Sequence, residues 1–80
     1  MSRGENMFSN KFPIRLKELR TSNDLTMEEL GKSIGSTRAT ISNFENRQKN
    51  PSLDILIRIA DYFHVSIDYL IGRTDNPGLK

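Results

Sequence analysis

Amide, hydroxyl and cationic side chains are concentrated between residues 35 and 52, and they are the best candidates for chemistry in this sequence. Ile41 and Phe44 in this stretch are three residues apart, which is the spacing of one face of a helix. The other faces of that helix carry small or polar side chains: Arg38, Ala39, Ser42, Asn43 and Asn46. A helix that faces only solvent usually carries Glu and Lys four residues apart, whereas this one has a single acid, Glu45. We therefore expect this surface to form hydrogen bonds with a partner.

The positive charge of the chain is concentrated in the same region. The whole sequence has a net charge of only +2, from 12 Lys and Arg against 10 Asp and Glu. Residues 32–49 hold four bases and one acid, whereas residues 1–31 hold five of each and residues 50–80 hold three bases and four acids. A local excess of this kind is the electrostatic footprint that phosphate binding requires. The charge distribution therefore points to a nucleic acid, which the net charge alone does not.

Residues that could support catalysis or metal binding are few. The chain has no cysteine, which excludes disulfides and thiolate metal sites. Its only histidine, His64, follows a predicted helix and is better explained as a helix cap than as a ligand or catalyst. Asp54, Asp61 and Asp68 are seven residues apart and are accompanied by no nucleophile or glycine-rich phosphate loop. We expect no enzymatic activity, no cofactor and no metal site.

The length and composition are those of one small folded domain. Eighty residues provide one core, and 35% hydrophobic with 28% charged residues fits a folded chain better than a disordered one. No apolar run approaches the roughly 20 residues of a membrane span, and residues 1–12 lack a signal-peptide core. Together with the absence of cysteine, these features predict a cytoplasmic protein.

Apolar spacing and capping residues predict five short helices, no strand and an all-α fold. The first helix begins at Phe12 and Pro13, after a polar tail at residues 1–11. The second begins at Met27, because Thr26 and Glu29 form a capping box. The other predicted N-terminal caps are Ser36 or Thr37, Ser52 and Ser66. The predicted helix ends are Asn23–Asp24, Gly35, about Asn46, His64 and Gly72.

One buried stripe is predicted along each helix. Its members are Leu16 and Leu19, then Leu30 and Ile34, then Ile41 and Phe44, then Leu53, Leu56, Ala60 and Phe63, and finally Leu70. Gly31 supplies the small residue that a close crossing of the second and third helices needs, and Gly35 supplies the positive φ of the turn. These features together indicate a helix-turn-helix over residues 27–46.

The sequence resembles the phage repressor and Cro-type (XRE-like) helix-turn-helix family. The resemblance covers residues 12–72 and rests on LKELR (16–20), LTMEELGKSIGSTRATISNFEN (25–46), NPSLDILIRIA (50–60) and VSIDYLIG (65–72). It implies a compact five-helix, lambda-repressor-like domain whose third helix enters the major groove of DNA, followed by a tail at residues 73–80. Met27 departs from the family pattern, because many members carry there a glutamine that bonds to a phosphate.

The resemblance also implies which residues contact DNA. Family members meet base edges at the positions of Thr37, Arg38, Ala39 and Asn43, and phosphates at those of Asn46, Arg47 and Lys49. The chemistry agrees, since the planar fork of Arg38 can pair with a guanine edge and Asn43 can both donate to and accept from adenine. The methyl group of Ala39 suits a thymine methyl group. The alternative for Arg38 and Asn43 is an ordinary solvated side chain without a partner.

Two further sets of residues are expected to act in structure and assembly. In the family, an acid at the position of Glu45 pairs with the arginine that matches Arg20, so we expect a structural ion pair. A homodimer interface is expected at Ile67, Tyr69 and Ile71, because a fifth helix of seven residues cannot bury all of them along with Leu70.

The sequence therefore predicts a sequence-specific DNA-binding transcriptional regulator, namely a bacterial or phage repressor that binds double-stranded DNA at a palindromic operator as a homodimer. Two alternatives stay open. One is a protein-interaction module on the same scaffold, such as an antitoxin-like subunit, and the other is the DNA-binding part of a longer regulator. Surplus apolar residues in the last two helices, Ile57 and Tyr62 among them, fit both a homodimer and an interaction module.

Overall fold

The computed structural model describes residues 11–78, and this part of the chain contains five α-helices. They are α1 (Phe12–Ser22), α2 (Met27–Ser33), α3 (Arg38–Glu45), α4 (Leu53–Phe63) and α5 (Ile67–Leu70). No strand occurs within residues 11–78, and the predicted all-α, five-helix fold is confirmed. None of the described helices combines the length and the apolar character that a membrane crossing requires. Of the predicted N-terminal tail, residues 1–10 lie outside the described residues.

The helices begin at the residues that the sequence predicts. Pro13 is buried in the first turn of α1, where its missing N–H leaves no helical hydrogen bond unmade. Thr26 Oγ1 accepts a hydrogen bond from the Glu29 N–H at 3.0 Å, and Glu29 Oε1 accepts one from the Thr26 N–H at 2.8 Å, which completes the capping box of α2. The hydroxyl groups that cap the starts of α3, α4 and α5 belong to Thr37, Ser52 and Ser66.

A left-handed residue follows each of the five helices. Asp24 (φ +57°), Gly35 (+74°), His64 (+59°) and Gly72 (+87°) follow α1, α2, α4 and α5, at the ends that the sequence predicts. The fifth helix has four residues instead of the expected seven, because Ile71 already caps it and Gly72 turns the chain away. Arg47 is also left-handed, with a φ of +63°, and the sequence pattern did not indicate this turn.

The core forms where the apolar faces of the helices meet. Its largest fully buried side chains are Phe12, Leu16, Leu30, Ile41, Ile59 and Leu70. The rings of Phe12 in α1 and Phe44 in α3 pack edge to face with their centroids 5.6 Å apart. This contact holds α3 against α1 and leaves the opposite side of α3 free.

Leu53 does not belong to the core, although the sequence pattern places it on the buried side of α4. It is 65% exposed, whereas Leu56 one turn later is buried. Ser52 and Asp54, the neighbours of Leu53, are exposed as well, so the first turn of α4 lies at the rim of the domain where no other helix covers it.

Residues 73–78, the C-terminal segment, fold back onto the domain. The guanidinium group of Arg15 in α1 donates to the carbonyl oxygens of Tyr69 and Thr74, and its Nη2 lies 2.6 Å from Asp75 Oδ1. The Ser66 N–H donates to the Pro77 carbonyl at 2.7 Å. The hydrogen bond from Arg15 is the main reason why the pKa of Asp75 lies below its usual value, and the positive charge of Lys11 contributes. The boundary between domain and tail at Gly72 stays a prediction.

Candidate nucleic-acid interface

The angle between α2 and α3 depends on a close backbone approach at Gly31. A Cβ atom on Gly31 would lie 2.6 Å from both the carbonyl carbon and the carbonyl oxygen of Thr37, a distance that real Cβ atoms do not adopt. Only glycine therefore permits this crossing, which the sequence predicts from the small residue at this position. Leu30 of α2 and Ile34, which caps the end of α2, are buried together with Ile41 of α3, so the two helices pack against each other through one core.

The N-terminus of α3 is organised by Thr37. Its Oγ1 accepts a hydrogen bond from the Thr40 N–H at 3.2 Å and lies 3.1 Å from Thr40 Oγ1. The first turn of α3 contains no acid, so nothing in it offsets the positive end of the helix dipole. Thr37, Arg38 and Ala39 are all exposed at this end of the helix. The structure thus places three of the four expected base-contacting residues side by side.

Asn43, the fourth of these residues, lies one turn after Ala39 and is half-buried. Arg38, Ser42 and Asn46 form a parallel row on the same exposed side, and Asn46 Nδ2 donates to Ser42 Oγ at 3.2 Å. Within residues 11–78, the guanidinium group of Arg38 makes no hydrogen bond or ion pair. This side of α3 therefore offers donors, acceptors and the methyl group of Ala39, and the guanidinium group of Arg38 on it has no partner within the described residues.

The chain leaves α3 through the three residues expected to contact phosphates. Asn46 is the C-terminal cap of α3, Arg47 turns the chain, and Lys49 follows two residues later. All three are exposed and lie together at the C-terminal end of α3. Their donors are placed around the end of the helix opposite to Arg38.

Glu45, the single acid of α3, does not face this surface, because it forms an ion pair with Arg20. Arg20 Nε and Nη2 donate to the two carboxylate oxygens of Glu45 at 2.7 and 3.1 Å, and Arg20 Nη1 donates to the Leu25 carbonyl at 2.9 Å. The side chain of Glu45 is only 4% exposed and that of Arg20 is 12% exposed. The hydrogen bond to Glu45 raises the pKa of Arg20 above its usual value. The structure thus brings the two expected partners together, and the carboxylate does not face a ligand.

The residues expected at a dimer interface are only partly available on the surface. Ile67, Tyr69 and Ile71 are half-buried and pack against the core. The guanidinium carbon of Arg15 lies 4.0 Å from the centroid of the Tyr69 ring and covers part of it. The large apolar side chains that the structure does expose are Ile14, Leu53, Ile57 and Tyr62. A dimer role for the α5 residues stays a prediction.

A second group of charged residues beside α3 was missed by the sequence analysis. Glu28 and Lys32 of α2 line a groove together with Ser36, Thr37 and Arg38. The available signal was Lys32, which is the first base of the positively charged stretch at residues 32–49. The groove itself depends on the angle between α2 and α3, and this angle cannot be inferred from the charge pattern of the sequence.

The fold and this surface are those of a DNA-binding helix-turn-helix domain, with α2 as the supporting helix and α3 as the exposed one. Residues 16–70 match the sequence model of the family described as Helix-turn-helix. The chain therefore belongs to the Helix-turn-helix family of transcription regulators, a DNA-binding class without enzymatic activity. The predicted family is confirmed, and so is the expectation that the protein is not an enzyme.

Individual proteins support the same assignment. The chain is 41% identical over 66 residues to YobD of Bacillus subtilis (strain 168), an uncharacterized HTH-type transcriptional regulator; the match covers 82% of this chain but only 59% of YobD. It is 36% identical over 62 residues to the antitoxin HipB of Escherichia coli (strain K12), covering 78% of this chain and 70% of HipB. Among solved structures, the P22 c2 repressor in complex with a synthetic operator superimposes with a TM-score of 0.70 and 25% identity, over 74% of this chain and 89% of the repressor.

Proposed function

We propose that this chain is a sequence-specific transcriptional repressor that places α3 in the major groove of an operator. The observation that carries the proposal is the two-sided character of α3. Ile41 and Phe44 lock one side into the core, while Arg38 and Ala39 stand exposed on the other. A rigid helix that offers donors, acceptors and a methyl group on one side matches the pattern of groups in the major groove.

In this proposal the bases are read by the exposed Thr37, Arg38 and Ala39 and by the half-buried Asn43. Arg38 donates two hydrogen bonds to a guanine, and Asn43 pairs with an adenine. Ala39 contacts a thymine methyl group, and Thr37 reaches a base edge with its hydroxyl hydrogen while its oxygen continues to cap α3. Arg38 has no competing partner within residues 11–78, so its guanidinium group binds a base without first breaking a contact there.

Contacts to phosphates set the position of α3 in the groove. Asn46, Arg47 and Lys49 surround the C-terminal end of the helix and donate to the backbone of one strand. Such contacts contribute affinity for every DNA sequence, and they fix the register in which Arg38 and Asn43 meet the bases.

The proposed active form is a homodimer on a palindromic operator in the cytoplasm. One helix reads only a few base pairs, which discriminates poorly against the competing sites of a genome. Two copies related by a two-fold axis would place their α3 helices about 34–36 Å apart, one turn of B-DNA. Ile67, Tyr69 and Ile71 are the proposed contacts, and because they are half-buried we expect a weak dimer that DNA stabilises.

Sedimentation of the purified chain, alone and with a duplex selected from random DNA, tests this proposal. We expect two chains per duplex at saturation and an approximate inverted repeat with half-site centres about 10 base pairs apart. One chain per duplex, on sites that lack inverted symmetry, would contradict the homodimer.

The similarity to the antitoxin HipB accords with the alternative of an interaction module, and the greater length of YobD accords with that of a fragment of a longer regulator. Both alternatives have a distinct outcome in the same experiment. An interaction module would bind no selected duplex at moderate salt when it is purified alone. A fragment would bind single half-sites without forming a dimer.

A further inference from the structure

The buried Arg15 and the C-terminal segment have no role in the proposed recognition of bases. Arg15 is only 9% exposed, and a buried guanidinium group needs acceptors for its donors because water does not reach them. Within residues 11–78 its acceptors are the carbonyl oxygens of Tyr69 and Thr74 and the carboxylate of Asp75. The last two belong to the C-terminal segment. A charge inside the domain therefore depends on a segment that lies at its surface.

The return of this segment across α5 is also fixed at its two ends. The segment follows Gly72, which has a φ of +87° and whose Cβ, if present, would lie 2.6 Å from the Cβ atom of Lys11. Glycine thus permits both the turn and the close approach to the start of α1. Near the other end, the Pro77 carbonyl accepts a hydrogen bond of 2.7 Å from the N–H of Ser66, the residue that caps α5.

The helix α5 depends on these contacts for its order. It has only four residues, and a helix of this length is not stable without tertiary contacts. The Pro77 carbonyl holds its start, and Arg15 holds its third residue, Tyr69, through the carbonyl and by lying 4.0 Å from the ring centroid. The proposed dimer contacts Ile67, Tyr69 and Ile71 lie on or next to this short helix. Their arrangement is therefore tied to the docking of the segment.

We infer that the C-terminal segment is a latch that holds α5 in the form in which two copies pair, with Arg15 as the positioning residue. The inference rests on the proposed homodimer. When the segment leaves, Arg15 keeps only the Tyr69 carbonyl of these acceptors, so its charge moves toward water and away from the ring. The bond at Ser66 is lost as well, and pairing then has to order α5 again, which weakens the dimer.

The reading helix is not held by the latch. α3 packs against α2 and α1, through the buried Ile41 and through the contact of Phe44 with Phe12. Release of the segment therefore separates pairing from base reading. A change in the latch weakens binding to two half-sites and leaves binding to one half-site as it is, whereas a general loss of stability lowers both.

Duplexes with one and with two half-sites of the selected operator test this separation. Asp75→Ala removes the carboxylate acceptor, and the domain stays folded because that side chain is 85% exposed. We expect roughly two- to five-fold weaker binding to two half-sites, the effect of one exposed ion pair, and unchanged binding to one. Asp54→Ala is the matched control, because Asp54 pairs with Arg58 at 3.0 Å on α4, outside the segment, and should change neither affinity.

Arg15→Met gives a larger change in the same direction. Methionine keeps the length and the apolar packing of the side chain but donates nothing to the segment, so we expect a loss of roughly ten-fold or more on two half-sites only. Hydrogen exchange of the Ser66 N–H measures docking directly. It should be faster in Arg15→Met and Asp75→Ala than in the wild type, because the bond to the Pro77 carbonyl opens more often.

Three outcomes would overturn the inference. Equal losses on one and two half-sites would mean that Arg15 and the segment only stabilise the fold. Tighter pairing of Asp75→Ala would mean that the docked segment obstructs the dimer. Faster exchange at Ser66 with unchanged affinity for two half-sites would mean that docking and pairing are independent. A wild-type chain that binds no duplex, or binds only as a single chain, would instead overturn the proposed function, so the two failures are distinguishable.

Discussion

Arg38 and Glu45 are seven residues apart on α3. Arg38 is proposed to contact DNA, whereas Glu45 forms an ion pair inside the domain. The carboxylate of Glu45 is buried against Arg20, whereas the guanidinium group of Arg38 is exposed. The residue types and spacing of α3 predict its polar side, because that pattern is local. The partner of Glu45 is 25 residues away, so it was expected only from the resemblance to a family. Contacts of this kind depend on how helices pack, so they cannot be inferred from the spacing of residues along one helix.

The residues proposed to contact phosphates give a test that separates positioning from base reading. We predict that Lys49→Ala and Arg47→Ala weaken binding to selected and unrelated duplexes by similar factors and flatten the salt dependence. Lys49 is the cleaner variant, because Arg47 also holds a left-handed turn. Titrations over a series of salt concentrations measure both quantities. A loss confined to the selected duplex would show that these side chains read bases.

The buried pair of Arg20 and Glu45 gives a prediction about stability. Removal of either partner should cost on the order of 3–5 kcal/mol, because it strands a charge inside the domain. The double variant Arg20→Met/Glu45→Met should cost less than the sum of the single changes, since it strands none. Denaturant unfolding of the wild type, the two single variants and the double variant measures the four free energies of unfolding that this comparison needs. A Glu45→Met chain as stable as the wild type would mean that the carboxylate is exposed in solution.

The surface proposed to bind DNA depends on how α2 and α3 cross, because this crossing sets the position of α3. A Cβ atom at Gly31 would overlap the backbone of Thr37, which cannot move without shifting the start of α3. We predict that Gly31→Ala lowers the free energy of unfolding by about 1–3 kcal/mol and also weakens DNA binding. Ser33→Ala, an exposed position on the same helix, should change stability by no more than about 0.5 kcal/mol. Thermal unfolding and duplex titration compare the stability and the DNA affinity of the two variants. Equal stability and equal affinity would mean that α3 tolerates displacement.

The helix boundaries were predicted well because caps and left-handed ends are local features. Thr26 with Glu29 starts α2, and Gly35 ends it, as the sequence indicates. Leu53 was placed wrongly because burial at a helix end depends on what lies over it, and no helix covers the first turn of α4. Periodicity identifies an apolar stripe but does not show how far along the helix the core extends.

At the scale of the whole molecule, Arg15 joins α1 to α5 and to the C-terminal segment, which the resemblance to the family implies is a tail. Arg15 is buried, and its acceptors come from residues 54 to 60 positions further along the chain. No local pattern could have indicated this contact, because it requires the segment to return across α5. The α5 surface proposed for dimerisation is shaped by the same arginine, which lies over Tyr69.

The ion pair of Arg15 with Asp75 makes a pH-dependent contribution to stability. The pKa of Asp75 is lowered in the folded chain, so the contribution is fully present above the usual value of 3.8 and is lost as the pH falls through the folded value. We predict that the melting temperature of the wild type exceeds that of Asp75→Asn at pH 6 and that the two values converge as the pH falls below 3.8. Asp24→Asn, a change of the same kind at an exposed turn, serves as the control. A constant difference across this pH range would contradict the account.

The most direct test of the central claim, that α3 reads DNA sequence, is a selection of binding sites from random duplexes by the wild type and by Arg38→Ala and Asn43→Ala. We predict that the wild type enriches an approximate inverted repeat. Each variant should lose its preference at one base pair of each half-site and bind the wild-type site roughly 1–3 kcal/mol more weakly. Variants that enrich the same sites with the same preferences, or a wild type that enriches no sequence, would contradict the claim.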